Sequence, residues 1–344
     1  KNEGDIWFFT NKNKLFLVET NKEETKRTFY HATIDTNNFT LEKLFEDDIY
    51  FKFLNYHNGR IYFSSKEYNW GDVKSFAVSN KEDQKSIIPQ LYNNLLMHAY
   101  FTEHYIICKY KNSGANFFNF YNYDGTFVRK IDVPSGMDVV YDYYDEETRD
   151  FYFGVYSYVL PFRNFKINIL TGAEQPFFSA NNRAKATLFP INYFETKTIS
   201  YQSRDNVMIP ITIIYKKGML LDGNNPTLLK AYGGFGVVSS PSYDTGLLYF
   251  LEKGGVFAYP EIRGGGEKGK KWHTDGKGLT KMNTFNDFID AAEFLIKEKY
   301  TSANKLAITG ASQGGLLVGV AMTKGPDLFK VAIPKVGLFD MAKF

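Results

Sequence analysis

A serine set between glycines is the residue of this chain best placed to do chemistry. Gly310-Ala311-Ser312-Gln313-Gly314 fits the pattern G-x-S-x-G. An apolar run (Leu306, Ala307, Ile308) precedes it and a helix-compatible run, 316–322, follows. A strand that turns sharply into a helix holds a serine hydroxyl at the strand's end, where it can attack an acyl carbon. The glycines are needed because the turn is tight. A side chain at either would meet the neighbouring strand or helix, and the serine itself must sit in a strained conformation. The expectation is a nucleophile at Ser312.

Two other clusters follow apolar runs. Tyr232-Gly233-Gly234-Phe235-Gly236 comes directly after residues 227–231. A glycine-rich loop in that position lets backbone approach a substrate closely. In a hydrolase such an early loop supplies part of the oxyanion hole, and a tyrosine there has a phenolic hydrogen to donate. The alternative is a packed aromatic. No Lys-Ser/Thr pair follows, which argues against a phosphate loop. Arg263-Gly264-Gly265-Gly266-Glu267 reads as structural, with Arg263 and Glu267 expected to pair and brace the cleft. His273 is the sole histidine of the second half, but it precedes Ser312. Hydrolases of this kind place the acid and then the histidine after the serine, so His273 is not expected to be the base.

The elements that must position these residues are legible from residue 198 onward. Residues 200–209 are polar and carry a hairpin turn at Arg204-Asp205-Asn206. Strand-like runs follow at 227–231, 255–259, 305–309 and 331–333. Between the second and third, Phe285, Phe288, Ile289, Ala292, Leu295 and Ile296 recur at helical spacing, predicting an amphipathic helix over 284–300. Strands alternating with helices predict a doubly wound, mostly parallel α/β sheet, whose ligands lie at the carboxyl ends of the strands. Ser312, Tyr232 and Arg263 all follow strand ends and are expected to face one cleft.

The first half has a different grammar. Apolar cores Leu15-Phe16-Leu17, Ile61-Tyr62-Phe63, Ile106-Ile107-Cys108 and Phe151-Tyr152-Phe153 recur every 45 residues. Each is followed by a second strand (27–34, 73–78, 116–122, 164–170). Turns are expected at Asn37-Asn38, Asn80-Lys81, Asp124-Gly125 and Thr171-Gly172. This periodicity predicts about four β-propeller blades of four strands each, with an irregular all-β sandwich as the alternative. His31, His57, His98 and His104 are scattered and read as surface or strand residues rather than ligands.

Composition bounds the rest. The 344 residues suffice for two domains, expected at 1–190 and 191–344. Net charge is only +3, from 41 basic and 38 acidic residues, which argues against nucleic acid or an anionic membrane as partner. Aromatics reach 17%, favouring many short strands. The single cysteine, Cys108, excludes an internal disulfide. No apolar stretch approaches a membrane span. The chain opens at Lys1 without a Met or signal peptide and stops at Phe344, so an internal fragment is expected.

Taken in order, several of these words resemble the prolyl oligopeptidases. They are Lys216-Lys217-Gly218, Tyr232-Gly233-Gly234-Phe235, Ile262-Arg263-Gly264-Gly265-Gly266-Glu267, Trp272-His273, the run AAEFLIKEKYT ending at Thr301, residues 310–317, Pro326-Asp327-Leu328-Phe329, and Val336-Gly337-Leu338-Phe339-Asp340-Met341. They cover about residues 205–344; the first half matches chiefly by architecture.

The resemblance implies an α/β-hydrolase domain capped by a seven-bladed propeller that limits access by size. It implies Ser312 as nucleophile, an oxyanion held by the Tyr232 hydroxyl and the Gln313 backbone N–H, and Phe235 and Leu338 packing on a substrate proline. The substrates would be short proline-containing peptides, with no cofactor or metal, in a monomer. A cytoplasmic protein is favoured, the periplasm being the alternative. Gln313 departs from the family's usual Asn. The family's Asp, His and a pocket tryptophan are expected beyond Phe344, which would leave residues 1–344 alone inactive. The alternatives are a sibling such as oligopeptidase B or an acylaminoacyl peptidase, and a non-catalytic propeller scaffold.

Overall fold

In the computed structural model of the chain, the described residues are 5–340 without 12, 22, 24, 35–39, 49–51, 66–67, 177–188 and 191. Residues 6–176 form four consecutive antiparallel sheets of four strands, each paired in chain order. The first holds β1 (Ile6–Asn11), β2 (Lys14–Thr20), β3 (Lys26–Thr33) and β4 (Glu42–Asp48). The second holds β5 (Lys52–His57), β6 (Arg60–Ser64), β7 (Val73–Ala77) and β8 (Asn80–Ile88). The third holds β9 (Leu95–Phe101), β10 (Ile106–Asn112), β11 (Ala115–Tyr121) and β12 (Phe127–Asp132). The fourth holds β13 (Asp138–Tyr144), β14 (Asp150–Tyr156), β15 (Arg163–Asn168) and β16 (Glu174–Pro176).

The 45-residue markers Phe16, Ile61, Ile106 and Phe151 sit on the second strand of each sheet and are all buried. In the second, third and fourth sheets that inner strand is buried over consecutive residues, whereas β2 alternates buried and half-buried ones. Asn80-Lys81 does not form the turn expected of it. Ala77 pairs with Asn80, so the two-residue loop is Val78-Ser79 and Asn80 opens β8. The ladder is irregular beside this loop, Phe76 pairing with Gln84. Gly125 and Gly172 do turn, at φ 90° and 77°; Asn37 and Asn38 lie outside the described residues. Cys108, on β10, is fully buried and unbonded to another cysteine; burial pushes its thiol up to about 12.

Two compact units partition the chain. One comprises Lys1–Tyr92 with Tyr121–Thr126, and the other Asn93–Phe120 with Phe127–Phe344. The second unit also contains a six-stranded sheet: β17 (Phe194–Gln202), β18 (Met208–Lys216), β19 (Thr227–Lys230), β20 (Val256–Pro260), β21 (Leu306–Ala311) and β22 (Val331–Lys335), in the order β17-β18-β20-β19-β21-β22. The pairings β17–β18 and β18–β20 are antiparallel, and the other three are parallel. Arg204-Asp205-Asn206 makes the β17–β18 turn, with Asn206 at φ 65° and Ser203 N–H bonded to the Val207 carbonyl at 2.9 Å.

Among the described residues four α-helices accompany the sheet: α1 (Thr245–Glu252), α2 (Lys270–Thr274), α3 (Met282–Lys297) and α4 (Gln313–Lys324). Phe288, Ala292 and Leu295 of α3 and Leu317, Val318 and Ala321 of α4 pack with Ile211, Leu229, Ala258 and Ile308 on one face of the sheet. Leu247, Leu248 and Leu251 of α1 pack with Ile214 and Phe257 on the other. Neighbouring residues such as Ile213 and Ile214, or Phe257 and Ala258, therefore enter different cores, as the alternation of a strand requires. Among the described residues no helix is long and apolar enough to cross a membrane.

Candidate active site

Ser312 occupies the single-residue link between β21 and α4, at φ 56° and ψ −118°, and its side chain is exposed. A non-glycine residue in that region of backbone space is costly and persists only where its surroundings fix it. Here the Ser312 N–H donates to the Lys335 carbonyl at 3.0 Å, and the Ser312 carbonyl accepts from Gly315 and Leu316 at 2.8 and 3.1 Å. The flanking glycines are sterically obligatory. A Cβ on Gly310 would lie 2.3 Å from the Gly314 carbonyl oxygen, and one on Gly314 would lie 2.6 Å from that of Ala231. Gln313 heads α4, so its backbone N–H is among the donors a helix leaves without an internal acceptor.

The second contact of Gly314, 3.5 Å from a built Cβ to Tyr232 Cα, brings the Tyr232 loop against the serine turn. Tyr232 leaves β19, the neighbour of β21 in the sheet, and is half-buried. Gly234 packs on the Gln313 side chain, leaving no room for a Cβ, which would be 2.4 Å from Gln313 Cγ. Gln313 is buried, and its Nε2 has no hydrogen-bond partner among the described residues. Phe235 stands exposed at φ 55°. Leu338 is half-buried on the segment after β22, where the backbone of Lys335 and Gly337 closes against Gly315 of α4. Phe235 and Leu338 thus sit on two loops that flank the serine.

The Tyr232 loop is itself held by a second layer of glycines. Gly236 N–H bonds the Gly264 carbonyl at 3.0 Å, and Gly266 N–H bonds that of Val237 at 3.1 Å. A Cβ on Gly264 would fall 2.5 Å from the Gly233 carbonyl oxygen, and one on Gly266 would fall 2.2 Å from that of Gly236. His273 also belongs to this layer, its Nδ1 lying 3.0 Å from the Gly264 carbonyl oxygen.

Arg263 and Glu267 do not pair. The glycine loop between them folds onto the Tyr232 loop and sends the two side chains to different partners. The buried Arg263 guanidinium bonds Asp287 of α3 through Nε at 2.9 Å and Nη2 at 2.6 Å, and also reaches Asp205. Burial opposes its charge, yet the two carboxylates hold its pKa above the usual value. For the same reason it lies beneath the loop instead of facing a cleft with Ser312 and Tyr232. Ser203 bridges Asp287 and Asp290 at 2.8 Å each, and Arg204 forks onto Asp290. Glu267 accepts from the Ser239 N–H at 3.1 Å. Burial, with the Glu261 carboxylate nearby, pushes it up to about 7. Glu261 meets Lys111 of β10 at 2.9 Å, and Lys111 also donates to the Ser239 carbonyl.

Sequence reasoning missed one further residue. Lys281, at the start of α3, donates from Nζ to the Gly233 carbonyl at 2.7 Å, and Thr284 Oγ1 lies 3.3 Å away. Burial lowers it to about 8. The available signal was a lysine at a helix start with no acid in the first turn, where the helix dipole disfavours a cation. Among the described residues no group of three or more His, Cys, Asp or Glu side chains is placed to hold a metal ion.

Residues 241–344 match the family described as the prolyl oligopeptidase family. The chain is 40% identical over 240 residues to the prolyl endopeptidase of Elizabethkingia meningoseptica, covering 70% of this chain and 33% of that protein. It is 32% identical over 341 residues to the prolyl endopeptidase of Dictyostelium discoideum, covering 92% of this chain and 43% of that one. Among solved structures it is similar to prolyl oligopeptidase B from Galerina marginata bound to a 35mer hydrolysis and macrocyclization substrate. There the TM-score is 0.86 at 26% identity, over 99% of this chain and 49% of that one. The chain therefore spans less than half the length of these curated relatives. It belongs to the prolyl oligopeptidase family.

Proposed function

We propose that this chain carries the nucleophile and oxyanion side of a serine endopeptidase that cleaves short peptides after proline. The observation that carries the reading is Ser312, strained at the carboxyl end of β21 with the Tyr232 loop packed on its turn. Ser312 Oγ attacks the scissile carbonyl. The developing oxyanion is met by the Tyr232 hydroxyl and the Gln313 N–H, and collapse releases the amine and leaves an acyl-enzyme that water hydrolyses. Phe235 and Leu338 offer apolar surface to the proline ring. The histidine that takes the serine proton, and the acid that orients it, come from residues outside 1–344. Residues 1–190 are propeller blades that limit substrate size, and 191–344 belong to an α/β-hydrolase domain. The four repeated sheets before Pro176 and the six-stranded sheet after Phe194 support this division.

The test is steady-state turnover by the full-length enzyme on Gly-Pro, Arg and N-acyl-amino-acid amide reporters. Preference for Gly-Pro is expected, with Tyr232→Phe lowering kcat by about 10²–10³-fold while the protein stays folded. Unchanged turnover in Tyr232→Phe sinks the oxyanion assignment; a preference for Arg sinks the specificity.

A further inference from the structure

Lys281 is a half-buried cation without an acid. Among the described residues no carboxylate lies within ion-pair distance of its Nζ, unlike the buried Arg263, which has two. Its strong acceptor is the Gly233 carbonyl at 2.7 Å, which belongs to the 233–234 peptide, one residue beyond Tyr232. Phe285 lies alongside, its ring centroid 5.7 Å from Nζ. Burial and the positive end of α3 both disfavour an ammonium here. A lysine held against both effects has to be explained by what it touches.

That carbonyl is a hinge point of the Tyr232 loop. Gly233 has φ 65°, and its Cβ position is already filled by Ile262 and Thr284, 2.6 Å from each. The carbonyl oxygen also abuts Gly264, whose built Cβ would approach it to 2.5 Å. Rotation of the 233–234 peptide would carry Tyr232 on one side and Gly234, seated on Gln313, on the other. A charge-assisted bond to its oxygen fixes that rotation.

Resting on the peptidase reading above, we propose that Lys281 is a positioning residue for the oxyanion site: its ammonium locks the Gly233 carbonyl and thereby sets Tyr232 relative to Ser312. Oxyanion donors work only when they are already aimed at the position the charge will occupy, so a loosened loop loses rate before it loses binding. Thr284, whose hydroxyl donates to the Gly276 carbonyl at 3.0 Å, buttresses the ammonium from the helix side.

The experiment is a double-mutant cycle in the full-length enzyme with a Gly-Pro amide reporter: wild type, Lys281→Met, Tyr232→Phe and the pair. Lys281→Met keeps the aliphatic stem and removes the charge. It is expected to lower kcat about tenfold with KM changed less than about twofold. In the Tyr232→Phe background the same change is expected to cost less than about twofold, because the hydroxyl it positions is gone. An equal loss in both backgrounds, or none in either, overturns the proposal while leaving the peptidase reading intact. A Tyr232→Phe variant as active as wild type overturns the oxyanion role of Tyr232 and this proposal with it, while absence of Gly-Pro turnover in the wild type overturns the peptidase reading. Should Lys281→Met fail to fold, Lys281→Gln, which can still donate to the carbonyl without the charge, carries the same cycle, with an intermediate loss expected and additivity again overturning it.

Discussion

The four repeated sheets and the loops around Ser312 are built by opposite means. In the sheets, spacing is set by bulk: Phe29 stacks on Phe45 at 4.5 Å between ring centroids, and Phe118 and Phe120 meet Phe151 edge-on at 5.0 and 5.1 Å. Around the serine, spacing is set by absence. Gly264, Gly266, Gly276, Gly310 and Gly314 bring backbone so close to backbone that a single methyl group would lie within 2.6 Å of a main-chain atom. Rings interdigitate and tolerate repacking, since neighbouring side chains can move to share a change of volume. A carbonyl oxygen facing a glycine has no such freedom. The same polypeptide therefore combines a forgiving architecture with an unforgiving site.

The sharpest way to break this contrast is to add one carbon. Gly266→Ala is expected to destabilise the protein by about 3 kcal/mol or more, as its Cβ would lie 2.2 Å from the Gly236 carbonyl oxygen. Chemical denaturation measures it, and a cost under about 1 kcal/mol would end the argument. Phe151→Leu, which removes several buried atoms from the fourth sheet, should cost only about 1–2 kcal/mol in the same assay. A ring substitution more damaging than the glycine one would invert the comparison.

The smallest effect concerns charge. Glu267 has a folded pKa of about 7 against an ordinary value of 4.5. Its protonated form is thus favoured by folding; the stability it confers is fully present below about 4.5 and is lost as pH rises through about 7. Glu267→Gln keeps an acceptor for the Ser239 N–H without ever acquiring the charge. Its melting temperature should exceed that of wild type by roughly 2–4 °C at pH 8, and the two should converge near pH 5. Parallel melting curves across that range would show that the carboxylate is not the cause.

Periodic features were legible in the sequence because they report on one element at a time. The 45-residue markers, the apolar face of α3 and the β21–Ser312–α4 turn each depend on local spacing, and each stands where its spacing predicts. The helix α1 escaped notice: it has only eight residues, and its start depends on Asp244 accepting from the Gly246 and Leu247 N–H groups. What spacing cannot encode is the choice of partner. Arg263 had an acid four residues away, yet it binds Asp287 and Asp205, because the fold rather than the chain decides which carboxylate is desolvated beside it. The position of Lys281 at a helix start was a signal, but its partner was not legible for the same reason, being a backbone oxygen 48 residues away.

Cys108 gives the repeated sheets a clock. The thiol is fully buried, and with a pKa near 12 almost none of it is thiolate at neutral pH. An alkylating reagent can therefore react only after β10 has parted from its neighbours and the sulfur has met water. With one cysteine in 344 residues, the rate at which a single label appears reports how often the third sheet exposes that thiol, by local or by global opening.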